Sequence, residues 1–186
     1  MTTPGIDAFR GSPAARSSRV AKSSAELALQ PSQELVRMQQ WPLLCHVELR
    51  ALPASARFAR LHTKSVLHRS GLGDLAETAE LLVSEIVTNA VRAATPIVDQ
   101  QRETGQAPPA QLVRFSLTSD QHSVLIQVWD SGHHRPVLKH PGPDAEAGRG
   151  LLLIETLSTQ WGWYATDEPG GKIVWAVCAG GALNLK

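Results

Sequence analysis

A chain of 186 residues with 42% hydrophobic and 19% charged residues has room for one core of ordinary size and little beyond it. Its 18 Lys and Arg against 17 Asp and Glu leave a net charge of +1, which offers no electrostatic footprint for direct nucleic-acid or anionic-membrane binding. The two cysteines, Cys45 and Cys178, exclude a disulfide framework or a Cys-rich zinc site, and no apolar run reaches the roughly 18 residues of a membrane span. Free thiols in such a chain point to the cytoplasm.

Residues 1 to about 34 are rich in Ser, Ala, Arg, Pro and Thr and nearly lack large apolar side chains. Such a segment buries too little surface to offset its ordering entropy, so it reads as a disordered tail ahead of one domain, residues 35–186. The partly alternating run from Trp41 to Leu49 predicts a first strand. Pro53 and Ser55 open a helix carrying Phe58, Leu61, Val66 and Leu67 that stops near Gly71. Asp74 with Glu77 three residues on has the form of a capping box and starts a second helix, Leu75 to Ala94, that ends before Pro96. A polar loop, 95–111, follows. Leu112 to Leu117 and Val124 to Trp129 alternate at period two and predict a hairpin. After a Pro/His/Gly-rich stretch, Gly148-Arg149-Gly150 opens an apolar helix, Leu151 to Leu157. Trp161 to Thr166 and Ile173 to Val177 flank Glu168-Pro169-Gly170-Gly171 as a second hairpin. The order β-α-α-β-β-α-β-β predicts an α+β fold, a mixed, mostly antiparallel sheet covered on one face by helices.

Three clusters can carry chemistry. Glu85 and Asn89 lie one turn apart on the long helix, bordering an apolar stripe through Leu75, Ala79, Leu82 and Ile86. A carboxylate and a carboxamide so placed can act together on a cation or polar ligand, though the pair alone is compatible with an ordinary surface. Asp130-Ser131-Gly132 follows directly on the strand ending in Trp129, where a carboxylate can accept from an entering ligand and glycine permits close backbone approach. The same tripeptide is also a common turn. Gly148-Arg149-Gly150-Leu151 exposes backbone N–H groups at a helix start, a setting that suits phosphate and is equally plain loop chemistry.

Taken in order, these clusters resemble the GHKL ATP-binding superfamily of gyrase, histidine kinases, mismatch-repair proteins and a heat-shock chaperone. The resemblance covers residues from about 43 to 179. Within that superfamily the chain is most similar to small stand-alone bacterial ATP-binding regulators, the anti-sigma-factor serine kinases and their relatives. The run Glu80-Leu81-Leu82-Val83-Ser84-Glu85-Ile86-Val87-Thr88-Asn89-Ala90-Val91-Arg92 is its most specific part, with Gly148 to Ile154 and Gly171-Lys172-Ile173-Val174-Trp175 in support. The resemblance implies a Bergerat-type two-layer sandwich that binds ATP with Mg²⁺. It implies that Asn89 holds the metal, that Asp130 accepts from the adenine amino group, and that Gly132 lets the purine lie against the backbone. Gly148, Arg149, Gly150 and Leu151 would meet the phosphates, Glu85 would be the general base, and residues 133–147 would form the lid, taking in His133, His134 and His140.

Two departures from the family pattern bear on activity. Ala93 stands where a histidine often follows the helix motif. Ile173 stands where a threonine often supports the adenine-binding aspartate, so polar support of that pocket is expected to weaken. Arg92 and Lys172 read as surface charges, the last-hairpin tryptophans as core or interface, and the cysteines as buried small hydrophobes. The functional expectation is a serine/threonine kinase of the anti-sigma type in transcription regulation. It would bind ATP or ADP, form a homodimer and act on an antagonist protein or a sigma factor. The alternative is a catalytically weak ATP- or partner-binding module. A histidine-kinase catalytic domain fits poorly, because no phospho-acceptor motif accompanies His62 or His68.

Overall fold

The computed structural model describes residues 32–103, 111–132, 134–136, 149–167 and 170–180. Alternation at period two buries Val113, Phe115 and Leu117 on one face of strand β2 (Leu112–Ser119) and leaves Arg114 and Ser116 on the other. The other strands are β1 (Leu43–Arg50), whose exposure alternates along most of its length, β3 (Ser123–Asp130), β4 (Gln160–Ala165) and β5 (Lys172–Ala179), the last buried on both faces over most of its length. These strands form one sheet in the order β1-β2-β3-β5-β4, and all four ladders are antiparallel. β3 is therefore central, and its last residue is Asp130.

Helices α2 (Pro53–Arg69), α3 (Ala76–Glu103) and α4 (Arg149–Leu157) cover the face bearing Phe115, Ile126, Val128 and Ala176. Leu82, Val83, Ile86 and Val87 of α3 are fully buried at the centre of that layer. Truncating Leu82 to Ala there is expected to cost about 2–5 kcal/mol through lost transfer and the cavity left behind. The expected α+β sandwich is the observed one. On α2 the core contacts fall to Ala59, Val66 and Leu67, while Phe58 and Leu61 stay half exposed.

Three local details differ from the sequence expectation. Asp74 sits in a single 3-10 turn, Gly73–Leu75, ahead of α3 rather than capping it directly. The long helix does not stop at Pro96 but continues to Glu103. Proline lacks the N–H that would bond the carbonyl four residues back, here that of Arg92, an exposed residue. The expected loop is shortened accordingly. Finally, a short helix α1 (Gln33–Met38), capped by Ser32 accepting from the Leu35 N–H at 3.2 Å, precedes β1. It packs Leu35 and Met38 on Leu125, Trp175 and Val177, on the face the other helices leave open. Six residues cannot hold a helix by propagation alone, so this contact is what fixes it. Of the expected tail, residues 1–34, Ser32 to Glu34 cap and open α1, and residues 1–31 lie outside the described residues. No helix among the described residues is long and apolar enough to cross a membrane.

Candidate functional site

Glu85, Asn89 and Ala93 recur at four-residue spacing on α3 and form a half-buried line beside its core stripe. From the first to the last is about 12 Å of helix. Two glycines from different elements press against the two ends of this line.

At one end is Gly150, in the first turn of α4. A Cβ there would lie 2.6 Å from Glu85 Oε2 and 3.5 Å from Asn89 Nδ2. Only glycine lets the opening turn of α4 come this close to the carboxylate and carboxamide. The N-terminal peptides of that helix carry partial positive charge and face the Glu85 end of the line. Leu151 follows, half-buried, and packs on the main core, which anchors the turn. Gly148 and the Arg149 side chain lie outside the described residues, as do His133 and residues 137–147 of the expected lid.

At the other end is Gly132, two residues beyond β3. A Cβ there would lie 2.9 Å from Ala93 Cβ, 2.9 Å from Asp130 Oδ1 and 3.1 Å from Lys172 Nζ. Asp130 is only 1% exposed. Its Oδ1 accepts from the Gly132 N–H at 2.8 Å and from Lys172 Nζ at 2.6 Å. Lys172 Nζ also donates to the Gly132 carbonyl at 3.1 Å. A buried carboxylate is tolerated only when its charge is met in this way.

Lys172 is thus no surface charge; it is 5% exposed and salt-bridged to Asp130. The β3–β5 register explains why. Asp130 pairs with Lys172, and Trp129 with Ile173. With successive side chains on opposite faces, Asp130 and Lys172 share the helix-covered face with Val128 and Val174. Ile173 turns to the open face, where it lines a groove of about 390 Å³ together with Arg114, Gln127, Trp129 and Tyr164. Ile173 therefore does not occupy the position beside Asp130, and the support expected to be lost there is supplied by a lysine. Gly171, at φ +92°, brings the start of β5 onto the end of β3; a Cβ on it would collide with the Asp130 carbonyl oxygen.

The motifs named Ala93, Gly171 and Lys172 but gave them no place in this site, and Lys172 was expected on the surface. The signal for Lys172 was available in the hairpin register, since a one-residue slip exchanges the faces of a strand. Trp163 and Trp175 are both buried, on opposite faces of the sheet. Burial pushes the Cys45 thiol up to about 11 and the Cys178 thiol up to about 12, so neither is a nucleophile at neutral pH. Among the described residues no three His, Cys, Asp or Glu side chains cluster as a metal site.

The family model of the histidine kinase-like ATPase domain matches residues 49–178, a span that takes in every residue of this site. No curated protein matches the chain.

Proposed function

The chain belongs to the histidine kinase-like ATPase family, a domain that supports an ATP-binding regulatory function, and from that premise we propose a protein serine/threonine kinase of the anti-sigma-factor type. The observation that supports the reading is the approach of Gly150 to Glu85 and Asn89, a carboxylate and a carboxamide beside a helix start suited to phosphate. Asp130 accepts the adenine amino group and Gly132 gives the purine its close contact with backbone. Gly148, Gly150 and Leu151 offer N–H groups to the phosphates, with Arg149 as a charged partner.

Mg²⁺ fits this donor set. As a hard cation it needs few protein ligands, so the Asn89 carboxamide oxygen would hold it without an acidic cluster among the described residues, and when bound it would supply charge neutralisation to the phosphates. Glu85 accepts the proton of a Ser or Thr hydroxyl on an antagonist protein as that oxygen forms its bond to the γ-phosphorus. The bond from phosphorus to the bridging oxygen breaks, and ADP leaves with that electron pair. Capture or release of a sigma factor, a homodimer and a cytoplasmic setting belong to the same reading.

The alternative of a binding module without transfer drew its support from Ile173. That residue lies on the opposite face from Asp130, so Ala93 is the one departure left in favour of the alternative.

The test is calorimetric titration of the full chain with Mg·ATP and Mg·ADP, paired with γ-phosphate transfer to candidate antagonists by the wild type and Glu85→Gln. Roughly micromolar binding retained in Glu85→Gln, with transfer reduced about 10²- to 10⁴-fold, is expected. A folded wild type that binds neither nucleotide overturns the reading.

A further inference from the structure

We infer that Lys172 is a specificity-determining residue, whose ammonium donates directly to the ring nitrogen beside the amino group of a 6-aminopurine while Asp130 accepts from that amino group. This rests on the ATP-binding reading above and goes beyond it, because it gives the base a second point of recognition.

The argument starts from the three N–H donors of an ammonium. Among the described residues two have acceptors: Asp130 Oδ1 at 2.6 Å and the Gly132 carbonyl at 3.1 Å. The ammonium also borders the glycine that the ATP-binding reading sets against the purine: a Cβ on Gly132 would meet Ala93, Asp130 Oδ1 and, at 3.1 Å, Lys172 Nζ. An acceptor and a donor side by side match an edge that presents a donor beside an acceptor. A 6-aminopurine presents an amino group next to a ring nitrogen with a lone pair. A 6-oxopurine presents the reverse, a carbonyl facing Asp130 and an N–H facing Lys172, and leaves both protein groups opposed.

The experiment is calorimetric titration of the full chain with Mg·ATP and with Mg·1-deaza-ATP, in which C–H replaces that ring nitrogen, for the wild type and Lys172→Met. The wild type is expected to prefer ATP roughly 10- to 150-fold, the range for a hydrogen bond from a charged donor. Lys172→Met is expected to bind the two nucleotides within about twofold of each other. Should Lys172→Met not fold, Lys172→Thr carries the same expectation, since its short side chain does not reach the base. Equal wild-type affinities overturn the inference and leave the ATP-binding reading intact. A preference that persists in a folded variant also overturns it, reducing Lys172 to a structural counter-ion. A wild type that binds neither nucleotide overturns the ATP-binding reading and this inference with it.

Discussion

Asp130 and Lys172 face each other across the central ladder, and their side chains meet beneath the helices at 2.6 Å with almost no exposure to water. Such a pair is costly to break and cheap to replace. Removing one partner leaves a buried charge, at about 3–5 kcal/mol, whereas exchanging both for apolar groups of similar volume is close to neutral. Lys172→Met is therefore expected to lower stability to urea by about that amount. Asp130→Leu added to Lys172→Met should restore most of it while abolishing nucleotide binding. Urea midpoints with calorimetry on the single and double variants check both halves; a double variant no more stable than the single one contradicts this account of the pair.

What could be read in advance follows the range of the physics involved. The strands and the two hairpins were legible because apolar alternation is local and strong, as in Leu112 to Leu117 and Val124 to Trp129, whereas the β1–β2 and β3–β5 ladders join segments far apart in the chain. Glu85, Asn89, Asp130 and Gly150 were legible as motif residues, each with a local reason for its type. The approach of Gly150 to Glu85 was not, since it depends on how α4 docks on α3. Helix α1 escaped notice because its two buried residues, Leu35 and Met38, gain their meaning only against Trp175 and Leu125. Pro96 misled for the opposite reason: a sound local rule was overridden in a helix whose preceding turns, Ala76 to Ala94, are held by tertiary burial. The exchange of Ile173 for Lys172 was an error of one residue in register, which in a strand is an error of face.

Gly150→Ala separates stability from chemistry. The added methyl would stand 2.6 Å from Glu85 Oε2, the far end of a flexible side chain that can rotate away. Alanine in place of glycine inside a helix also gains roughly 0.5–1 kcal/mol. Melting temperature is expected to hold or rise. Phosphoryl transfer to an antagonist is expected to fall about 10²-fold, the scale for a catalytic group displaced by an ångström. Transfer at wild-type rate with Glu85 so displaced would remove it as the base.

Gly171→Ala and Gly71→Ala form a matched comparison. Both glycines have positive φ, +92° and +75°, so both substitutions carry the strain of a left-handed backbone, about 1–2 kcal/mol. A Cβ on Gly71 meets nothing within 4 Å, whereas one on Gly171 meets the Asp130 carbonyl and Ser131 Cα. Gly171→Ala must therefore open the β3–β5 junction as well. It is expected to lose clearly more stability in urea than Gly71→Ala, and to weaken ATP binding where Gly71→Ala leaves it unchanged. Equal losses would show that the junction yields without strain.

The two thiols give stability a dependence on alkaline pH. Desolvation pushes Cys178 up from 9.0 to about 12 and Cys45 up from 9.0 to about 11, and Tyr164 is raised by burial in the same direction. Below pH 9 the thiols are protonated in both states and contribute no slope. Between pH 9 and about 12 the unfolded chain ionises them while the folded chain keeps its protons, so the folded state binds more protons and stability falls as pH rises. Urea midpoints measured from pH 8 to pH 11 are expected to be flat at first and then decline above pH 9. Cys178→Ala should shallow that decline, because the residue with the larger shift no longer ionises on unfolding. An unchanged slope in Cys178→Ala would assign the alkaline loss to other groups and leave the buried thiol without a part in it.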